Sequence, residues 1–264
     1  MYFKFRILGC GSSGGVPRVG FGWGICDPKN EKNRRLRCAL LVEKVTEQKK
    51  TTVLIDTGPD IREQLLKAGV TNLDAVVYTH SHADHVHGID DLRTIAYRKK
   101  QRIPVWADIT TQQRLIQGFS YIFDTPKKSK YPPICDLNLI ESKNIIIHGA
   151  GGEISLKPLS VNHGSINSLG FKIDKLAYIP DVLDIPPASW KELEKLDILI
   201  IDALRRDPHP SHTHLDKTLL WLKKLTPKRA ILTNLHNDLD YSELKKELPE
   251  NVEPAFDGLE IYIA

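Results

Sequence analysis

The chain has 264 residues, of which 41% are hydrophobic and 27% charged, and its formal net charge is +4. These values are ordinary for a soluble globular protein and suit one large domain or two small ones. No apolar run approaches the ~20 residues of a membrane-spanning helix, and the N-terminal stretch lacks the long apolar segment of a signal peptide. Membrane and secreted classes are therefore disfavoured, and a cytoplasmic location is predicted.

Cysteine spacing and charge distribution narrow the class further. The four cysteines form no Cys-x-x-Cys pair, so the sequence supports neither a disulfide framework nor a structural zinc site. Residues 1–50 hold 11 lysines and arginines against 4 acidic residues. This basic excess, which includes Arg18 and the run Lys29 to Arg37, fits either a solvated face or a patch that attracts an anionic substrate.

The first half of the chain alternates between predicted strands and helices. Residues Tyr2 to Leu8 alternate and predict the first strand. The Gly/Ser loop Gly9 to Gly15 could hold a phosphate oxygen, but it lacks the Gly-Lys-Ser/Thr ending of a P-loop. The patterns that follow predict strands at 37–42, 52–56, 73–78 and 104–106 and helices at 61–68, 89–100 and 110–118, the last opened by a Thr cap.

The second half is richer in predicted strands. Residues 124–133 are rich in Lys and Pro, which indicates a loop or lid. Beyond them the patterns predict strands at 137–140, 144–148, 153–161, 168–173, 176–179, 197–202, 230–233 and 259–263 and helices at 186–195, 215–224 and 241–248. No repeat and no linker interrupts this series.

The stretch Thr79 to Gly88, THSHADHVHG, concentrates potential metal ligands. It follows an apolar run that predicts a buried strand, so the ligands leave a strand end on a loop, where functional residues are common. An extended backbone would point His80 and His82 the same way, and Asp84 and His85 follow as the chain bends. One His–His pair and one Asp–His pair suit two metal ions on one loop better than they suit a merely solvated turn.

Three later strands also end in residues of ligand type. His163, Asp181 and His236 each stand just past an apolar run. Each residue alone would be interpreted as a hydrogen-bonded polar side chain, but together they complete two coordination shells. Neutral imidazoles and carboxylates suit Zn²⁺ or Mn²⁺, and an Asp can bridge two ions. These residue types leave the choice between Zn, Mn and Fe open.

The order and spacing of these seven ligand candidates resemble the metallo-β-lactamase superfamily. The resemblance implies an α/β fold, an αββα sandwich of two mixed sheets flanked by helices, formed by a single hydrolase domain over residues 1–264. It also implies that Asp56, at a strand end, orients the histidine loop. By the same match, His80, His82 and His163 would hold one ion, Asp84, His85 and His236 the other, and Asp181 would bridge them.

Three further segments are similar to the phosphoribosyl 1,2-cyclic phosphate phosphodiesterase family, whose relatives include tRNA 3′-processing endonucleases. They are the loop Gly9 to Pro17, the loop Trp23 to Asp27, and the His-Pro-Ser-His segment that ends at His212. The family uses a non-ligand histidine near the position of His212. Phosphonate-pathway members carry an extra zinc site of clustered cysteines near the N-terminus. This chain departs from that pattern, since only Cys26 remains in the loop.

The resemblance implies a phosphodiesterase that uses two divalent metal ions to hydrolyse a small, cyclic phosphodiester of a sugar or nucleotide. Two ions lower the pKa of a shared water to near 7, and the bridging hydroxide attacks phosphorus in line. Asp84 and His212 are the predicted catalytic residues. His212 would protonate the departing alkoxide, a contribution of ~10²–10⁴-fold, and His214 is the competing choice.

Two rival activities could use the same ligands. A thioesterase or lactonase would direct the hydroxide at a carbonyl carbon and needs no acid histidine between Asp181 and His236, so the segment before His212 favours a phosphoester. A tRNA 3′-processing-like ribonuclease would need an RNA-binding arm, and no Gly-rich basic insertion of that kind interrupts the predicted elements. The expected partner is a small anionic phosphodiester, without membrane binding or stable nucleic-acid binding. A homodimer is compatible with the sequence.

Overall fold

The computed structural model describes residues 1–125, 127 and 129–264, which divide into two compact units. The first unit holds residues 1–6, 39–155 and 260–264, and the second holds residues 7–38 and 156–259. Within the described residues, the strands form two mixed sheets of seven strands each, and helices accompany both. Two mixed sheets with helices are what the sequence predicted, while the single domain over 1–264 stays a prediction.

The strands alternate with helices along most of the chain, as the apolar patterns indicate. The first sheet has the order β14-β1-β2-β3-β4-β5-β6, and the second has the order β13-β12-β11-β10-β9-β8-β7. The strands are β1 (Tyr2–Gly9), β2 (Ala39–Val45), β3 (Lys50–Ile55), β4 (Ala75–Val77), β5 (Ile103–Ala107), β6 (Cys135–Leu139), β7 (Ile145–Ile147), β8 (Ile154–His163), β9 (Ile166–Ile173), β10 (Leu176–Ile179), β11 (Ile198–Asp202), β12 (Arg229–Thr233), β13 (Val252–Pro254) and β14 (Glu260–Ile263).

The helices are short apart from α4 and α6. α6 buries one apolar face in the core of the second unit, where Leu215, Trp221, Leu222 and Leu225 pack. Two short 3-10 helices cover residues 31–33 and 89–92. The helices are α1 (Ile61–Lys67), α2 (Ala83–Val86), α3 (Arg93–Lys99), α4 (Ile109–Phe123), α5 (Pro187–Glu192), α6 (Leu215–Leu225) and α7 (Tyr241–Glu247).

In the first unit, parallel pairing brings two functional segments to one sheet edge. β3, β4 and β5 are parallel neighbours. Their Val, Leu and Ile residues are fully buried, which is typical of a parallel sheet covered on both faces. The carboxyl ends of parallel strands meet at the same edge, so Asp56 after β3 lies beside the start of the histidine loop after β4. Asp56 adopts a left-handed φ of 66°, which turns the chain sharply at the strand end.

The second unit repeats this arrangement with more strands. β10, β11, β12 and β13 are parallel, with Ile179 paired to Ile201 and Asp202 paired to Thr233. Their carboxyl ends carry Asp181, Asp202 and Asn234 to one edge. β8 and β9 form an antiparallel hairpin that closes where His163 pairs with Ile166.

Several boundaries differ from the sequence predictions, for local reasons. β2 begins two residues later than predicted, and the short α2 and β13 were missed because their patterns are too brief for a periodicity. The predicted helix at 89–100 begins as a 3-10 turn. Asp108 rather than a threonine caps α4, since its side chain accepts from the Thr111 N–H.

The predicted loop or lid at 124–133 includes Pro126 and Lys128, which lie outside the described residues. In the part of the chain that the structure covers, none of the helices combines the length and the apolar character needed to span a bilayer.

Candidate active site

The histidine loop in the first unit presents two pairs of ligand atoms. His80 Nε2 and His82 Nδ1 lie 3.0 Å apart. Asp84 Oδ2 and His85 Nε2 lie 3.4 Å apart. Two ligands that each lie ~2.0–2.1 Å from a tetrahedral ion are separated by roughly 3.3 Å. Both pairs therefore fit the spacing of two ligands on one ion, which agrees with the His–His and Asp–His pairs expected from the sequence.

Asp56 holds this loop in place from the end of β3. Its Oδ2 accepts from His85 Nδ1 and from the Thr79 hydroxyl, each at 2.8 Å, and its Oδ1 accepts from the Thr79 N–H at 2.8 Å. Since Nδ1 of His85 donates to the carboxylate, the lone pair of the imidazole lies on Nε2, the atom that faces Asp84. Burial raises the pKa of Asp56, and the interactions with His85 and Thr79 oppose that rise.

The second unit carries its own ligand cluster. His163, Asp181 and His212 offer ligand atoms that all lie within 4.8 Å of one another. His163 and Asp181 are buried, and His163 Nδ1 donates to the Ser211 carbonyl at 2.7 Å. Asp181 Oδ1 accepts from the Asn234 amide at 3.3 Å. His163 is thus oriented in the same way as His85, with Nε2 left as its ligand atom.

Asp202, at the end of β11, supports this cluster and was not singled out from the sequence. The residue is fully buried, and its Oδ2 accepts from His212 Nδ1 at 2.8 Å and from the Val182 N–H at 3.1 Å. Burial raises the pKa of Asp202, an effect that the neighbouring His212 opposes. The rule that selected Asp56, a carboxylate directly after an apolar strand, would have selected Asp202 as well.

His236 lies in a different environment from the other ligand candidates. Its Nδ1 donates to Asp238 Oδ1 at 3.0 Å, and its Nε2 contacts the guanidinium of Arg18. Among the described residues, the ligand cluster of the second unit contains His212 in place of His236.

The other two histidines of the segment before α6 have local roles. His214 is the residue before the first turn of α6 and lies outside the cluster found among the described residues. His209 Nδ1 accepts from the Ser211 N–H at 3.3 Å, and burial lowers the pKa of His209 to about 4. A neutral His209 thus accepts a hydrogen bond within its own loop.

The donor sets of the two units fit divalent ions. They consist of imidazole nitrogens and carboxylate oxygens, which suit Zn²⁺ and Mn²⁺. Asp56 and the Ser211 carbonyl orient the imidazoles through Nδ1, as the outer groups around protein-bound metals do.

Comparison with known proteins identifies the family. A family model described as "Beta-lactamase superfamily domain" matches residues 51–234. The crystal structure of a new diphosphatase from the PhnP family is 34% identical, with a TM-score of 0.88, and the match covers 100% of this chain and 98% of that one. An octanoyltransferase of Porphyromonas gingivalis is 34% identical over 259 residues, which are 97% of this chain and 51% of that protein. The chain spans about half the length of the curated relatives it matches.

A more distant structure agrees in fold. The short form of human tRNase Z is 20% identical, with a TM-score of 0.64, and the match covers 99% of each chain. At this identity the likeness concerns the fold alone. The predicted metallo-β-lactamase fold class is confirmed by these matches. The predicted assignment as a metal-dependent hydrolase is confirmed by the family match and by the 34% identical diphosphatase. The chain belongs to the metallo-β-lactamase superfamily and, within it, to the PhnP family.

Proposed function

We propose that this protein is a phosphodiesterase that uses two divalent ions to hydrolyse a small, cyclic phosphodiester of a sugar or nucleotide. The observation that carries the proposal is the Asp202–His212 pair beside the ligand candidates His163 and Asp181. An imidazole whose Nδ1 donates to a buried carboxylate presents Nε2 for proton transfer. A phosphoester with an alkoxide leaving group needs such an acid, whereas attack on a thioester does not.

The ligand candidates named from the sequence would hold the two ions, as the family resemblance implies. The histidine loop would contribute its His–His and Asp–His pairs, and the second unit would contribute His163, Asp181 and His236. Bound ions of this kind supply Lewis acidity, which lowers the pKa of water and stabilises charge on the phosphoryl oxygens.

His212 is the residue of this chain that we assign as the general acid. Asp202 accepts from Nδ1 and stabilises the positive charge of the imidazolium, so the mobile proton is on Nε2. The Asn234 amide nitrogen lies 3.1 Å from the same Nδ1, but it donates to Asp181 Oδ1 at 3.3 Å, because Nδ1 itself donates to Asp202. Transfer of the Nε2 proton to the leaving oxygen completes the cleavage of the ester.

A diphosphate is the second candidate substrate, because a 34% identical member of the family is named a diphosphatase. Cleavage of a phosphoanhydride releases a phosphate, which needs less protonation than an alkoxide. A diphosphatase would therefore depend less on His212 than a phosphodiesterase does. The name octanoyltransferase belongs to a relative of which this chain covers 51%, and it favours no activity for the matched half.

The decisive experiment compares leaving groups in the His212→Ala variant. The panel holds an activated aryl phosphodiester, cyclic nucleotides, a cyclic ribose phosphate, a nucleoside diphosphate compound and a thioester. We expect kcat on the cyclic esters to fall by ~10²-fold or more and kcat on the aryl ester to fall much less, with the metal content unchanged. His214→Ala serves as the matched control and should leave these ratios as they are.

Other outcomes of the panel would assign different roles. Equal losses on all esters would make His212 a phosphate-positioning residue, and loss of metal would make it a ligand. A leaving-group-dependent loss in His214→Ala would move the acid to that residue. Turnover of the thioester without turnover of any phosphoester would contradict the proposed function.

A further inference from the structure

Arg18 contacts His236, the ligand candidate of the second unit that lies outside its cluster among the described residues. Its Nη1 donates to His236 Nε2. The tautomer of His236 agrees with this contact, because its Nδ1 donates to Asp238 Oδ1 at 3.0 Å and its lone pair is therefore on Nε2. The guanidinium thus lies at the nitrogen through which His236 would bind a metal ion.

The backbone around Arg18 is shaped to admit this side chain. A Cβ atom at Gly14 would lie 2.5 Å from Arg18 Nε, so only glycine leaves the guanidinium its place over the Gly/Ser loop. Arg18 itself is fixed by a tight turn, since its N–H donates to the Gly22 carbonyl at 2.8 Å and the Gly22 N–H donates back at 2.7 Å. Gly20 and Gly22 adopt positive φ values of 80° and 64° in that turn.

We propose that Arg18 binds a phosphoryl oxygen of the substrate, an inference that rests on the proposed phosphoester chemistry. An ion on His236 Nε2 would take over the lone pair to which Arg18 now donates. The guanidinium would then stand free beside an anion held by that ion. A planar guanidinium with several N–H donors matches two oxygens of a phosphate at once, which a lysine cannot do.

A direct contact with phosphate would distinguish Arg18 from the rest of the basic N-terminal region. Arg34 is exposed and carries the same charge in the run Lys29 to Arg37. Long-range attraction of an anion would be shared by such residues and would weaken with salt. A direct contact by Arg18 would instead depend on its guanidinium geometry and on the space at Gly14.

The test measures binding of inorganic phosphate to the metal-loaded protein by calorimetry, beside the kinetics of the ester panel. For Arg18→Gln we expect phosphate binding to weaken by about 10- to 100-fold, as when a charge-assisted hydrogen bond is lost, with a comparable rise in KM. Arg18→Lys should recover only part of the affinity. Arg34→Gln, with the same charge change, should alter binding by less than about twofold at physiological salt.

Gly14→Ala provides a second variant that keeps Arg18 and the net charge. Gly14→Ala should also weaken phosphate binding. The double variant with Arg18→Gln should bind phosphate no more weakly than Arg18→Gln alone, since both substitutions act on one contact. Arg18→Gln should bind at least as many metal ions as the parent protein.

Three results would overturn the inference: equal losses in Arg18→Gln and Arg34→Gln, loss of metal in Arg18→Gln, or additive effects with Gly14→Ala. The proposed phosphate contact of Arg18 and the proposed phosphodiesterase function can fail separately. If phosphate binding depends on Arg18 as expected but no phosphoester is hydrolysed, the proposed function fails and the Arg18 site stands. If esters are hydrolysed and Arg18→Gln binds phosphate normally, only the Arg18 site fails.

Discussion

The two units carry their ligand candidates in different ways. In the first unit, all four lie between His80 and His85, on the turn after β4 and in the short helix α2. In the second unit, His163 ends β8, Asp181 follows β10, and His236 follows β12. The first set depends on local backbone geometry, whereas the second depends on strands that pair in the correct order.

In both units, a buried carboxylate at the end of a parallel strand accepts a hydrogen bond from a histidine of the candidate site. Asp56 and Asp202 each accept from an imidazole Nδ1 at 2.8 Å, the first from His85 and the second from His212. Both oxygens of Asp56 accept hydrogen bonds, but Oδ1 of Asp202 has no hydrogen-bond partner among the described residues. A carboxylate whose two oxygens both accept hydrogen bonds holds a metal-ligating imidazole in one orientation. A carboxylate with fewer hydrogen bonds is better suited to an imidazole that gains and loses a proton.

Removal of Asp181 should have the largest effect, because the proposed bridging carboxylate would serve both ions at once. We expect Asp181→Ala to lose both ions together and to lose more than about 10³-fold in kcat. Elemental analysis of the purified variant and of Asp181→Asn measures the loss. One firmly held ion in the alanine variant would contradict the bridging role.

Asp202→Asn should lower kcat on esters with poor leaving groups by roughly 10- to 100-fold, because the amide stabilises the His212 imidazolium less well than a carboxylate. Metal content should not change. The double variant with His212→Ala should be no slower than His212→Ala alone, which steady-state kinetics on the cyclic esters can measure. Additive losses would mean that Asp202 acts through another group.

Asp56→Asn should affect metal binding rather than proton transfer, because Asp56 orients the ligand candidate His85 whereas Asp202 supports the acid His212. We expect metal affinity to fall by roughly 10- to 100-fold, because His85 loses its charged acceptor. At saturating metal, kcat should return close to the parent value on every ester. Metal titrations followed by kinetics decide between this result and a leaving-group-dependent loss of kcat like that expected for Asp202→Asn.

The smallest effect concerns stability at the outer edge of the first sheet. Lys4, Tyr262 and Arg6 lower the pKa of Glu260 to about 2, from an ordinary value of 4.5. A lowered pKa in the folded state contributes stability that is present above about pH 4.5 and is lost as the pH falls toward 2. Thermal unfolding of Glu260→Gln should therefore match the parent near pH 2 and be slightly less stable at pH 7, with unchanged metal content. A difference that grows as the pH falls would contradict this assignment.

The Lys/Arg run near the N-terminus illustrates where sequence patterns mislead. Lys29 to Arg37 is strongly basic, and a solvated face was one of its two interpretations. Arg35 within that run is 1% exposed, and its guanidinium donates to the carbonyls of Leu239 and His236. This arginine holds the backbone at His236 and cannot attract a substrate from solution. A one-dimensional count of charges does not distinguish such a residue from an exposed neighbour like Arg34.

The histidine loop, most strands and helices, and the proximity of His80 to His82 and of Asp84 to His85 could be predicted from the sequence alone. These features depend on residues a few positions apart, whose geometry the local backbone sets.

The three-dimensional structure was needed to show that Asp202 supports His212, that His163 and Asp181 lie beside them, and that Arg18 contacts His236. These partners are far apart along the chain, and the parallel pairing of β10, β11 and β12 brings Asp181 and Asp202 to one sheet edge. Spacing in a sequence carries no information on which of several buried carboxylates a given imidazole will meet. That choice follows from strand order and register, which are set by the packing of the whole unit.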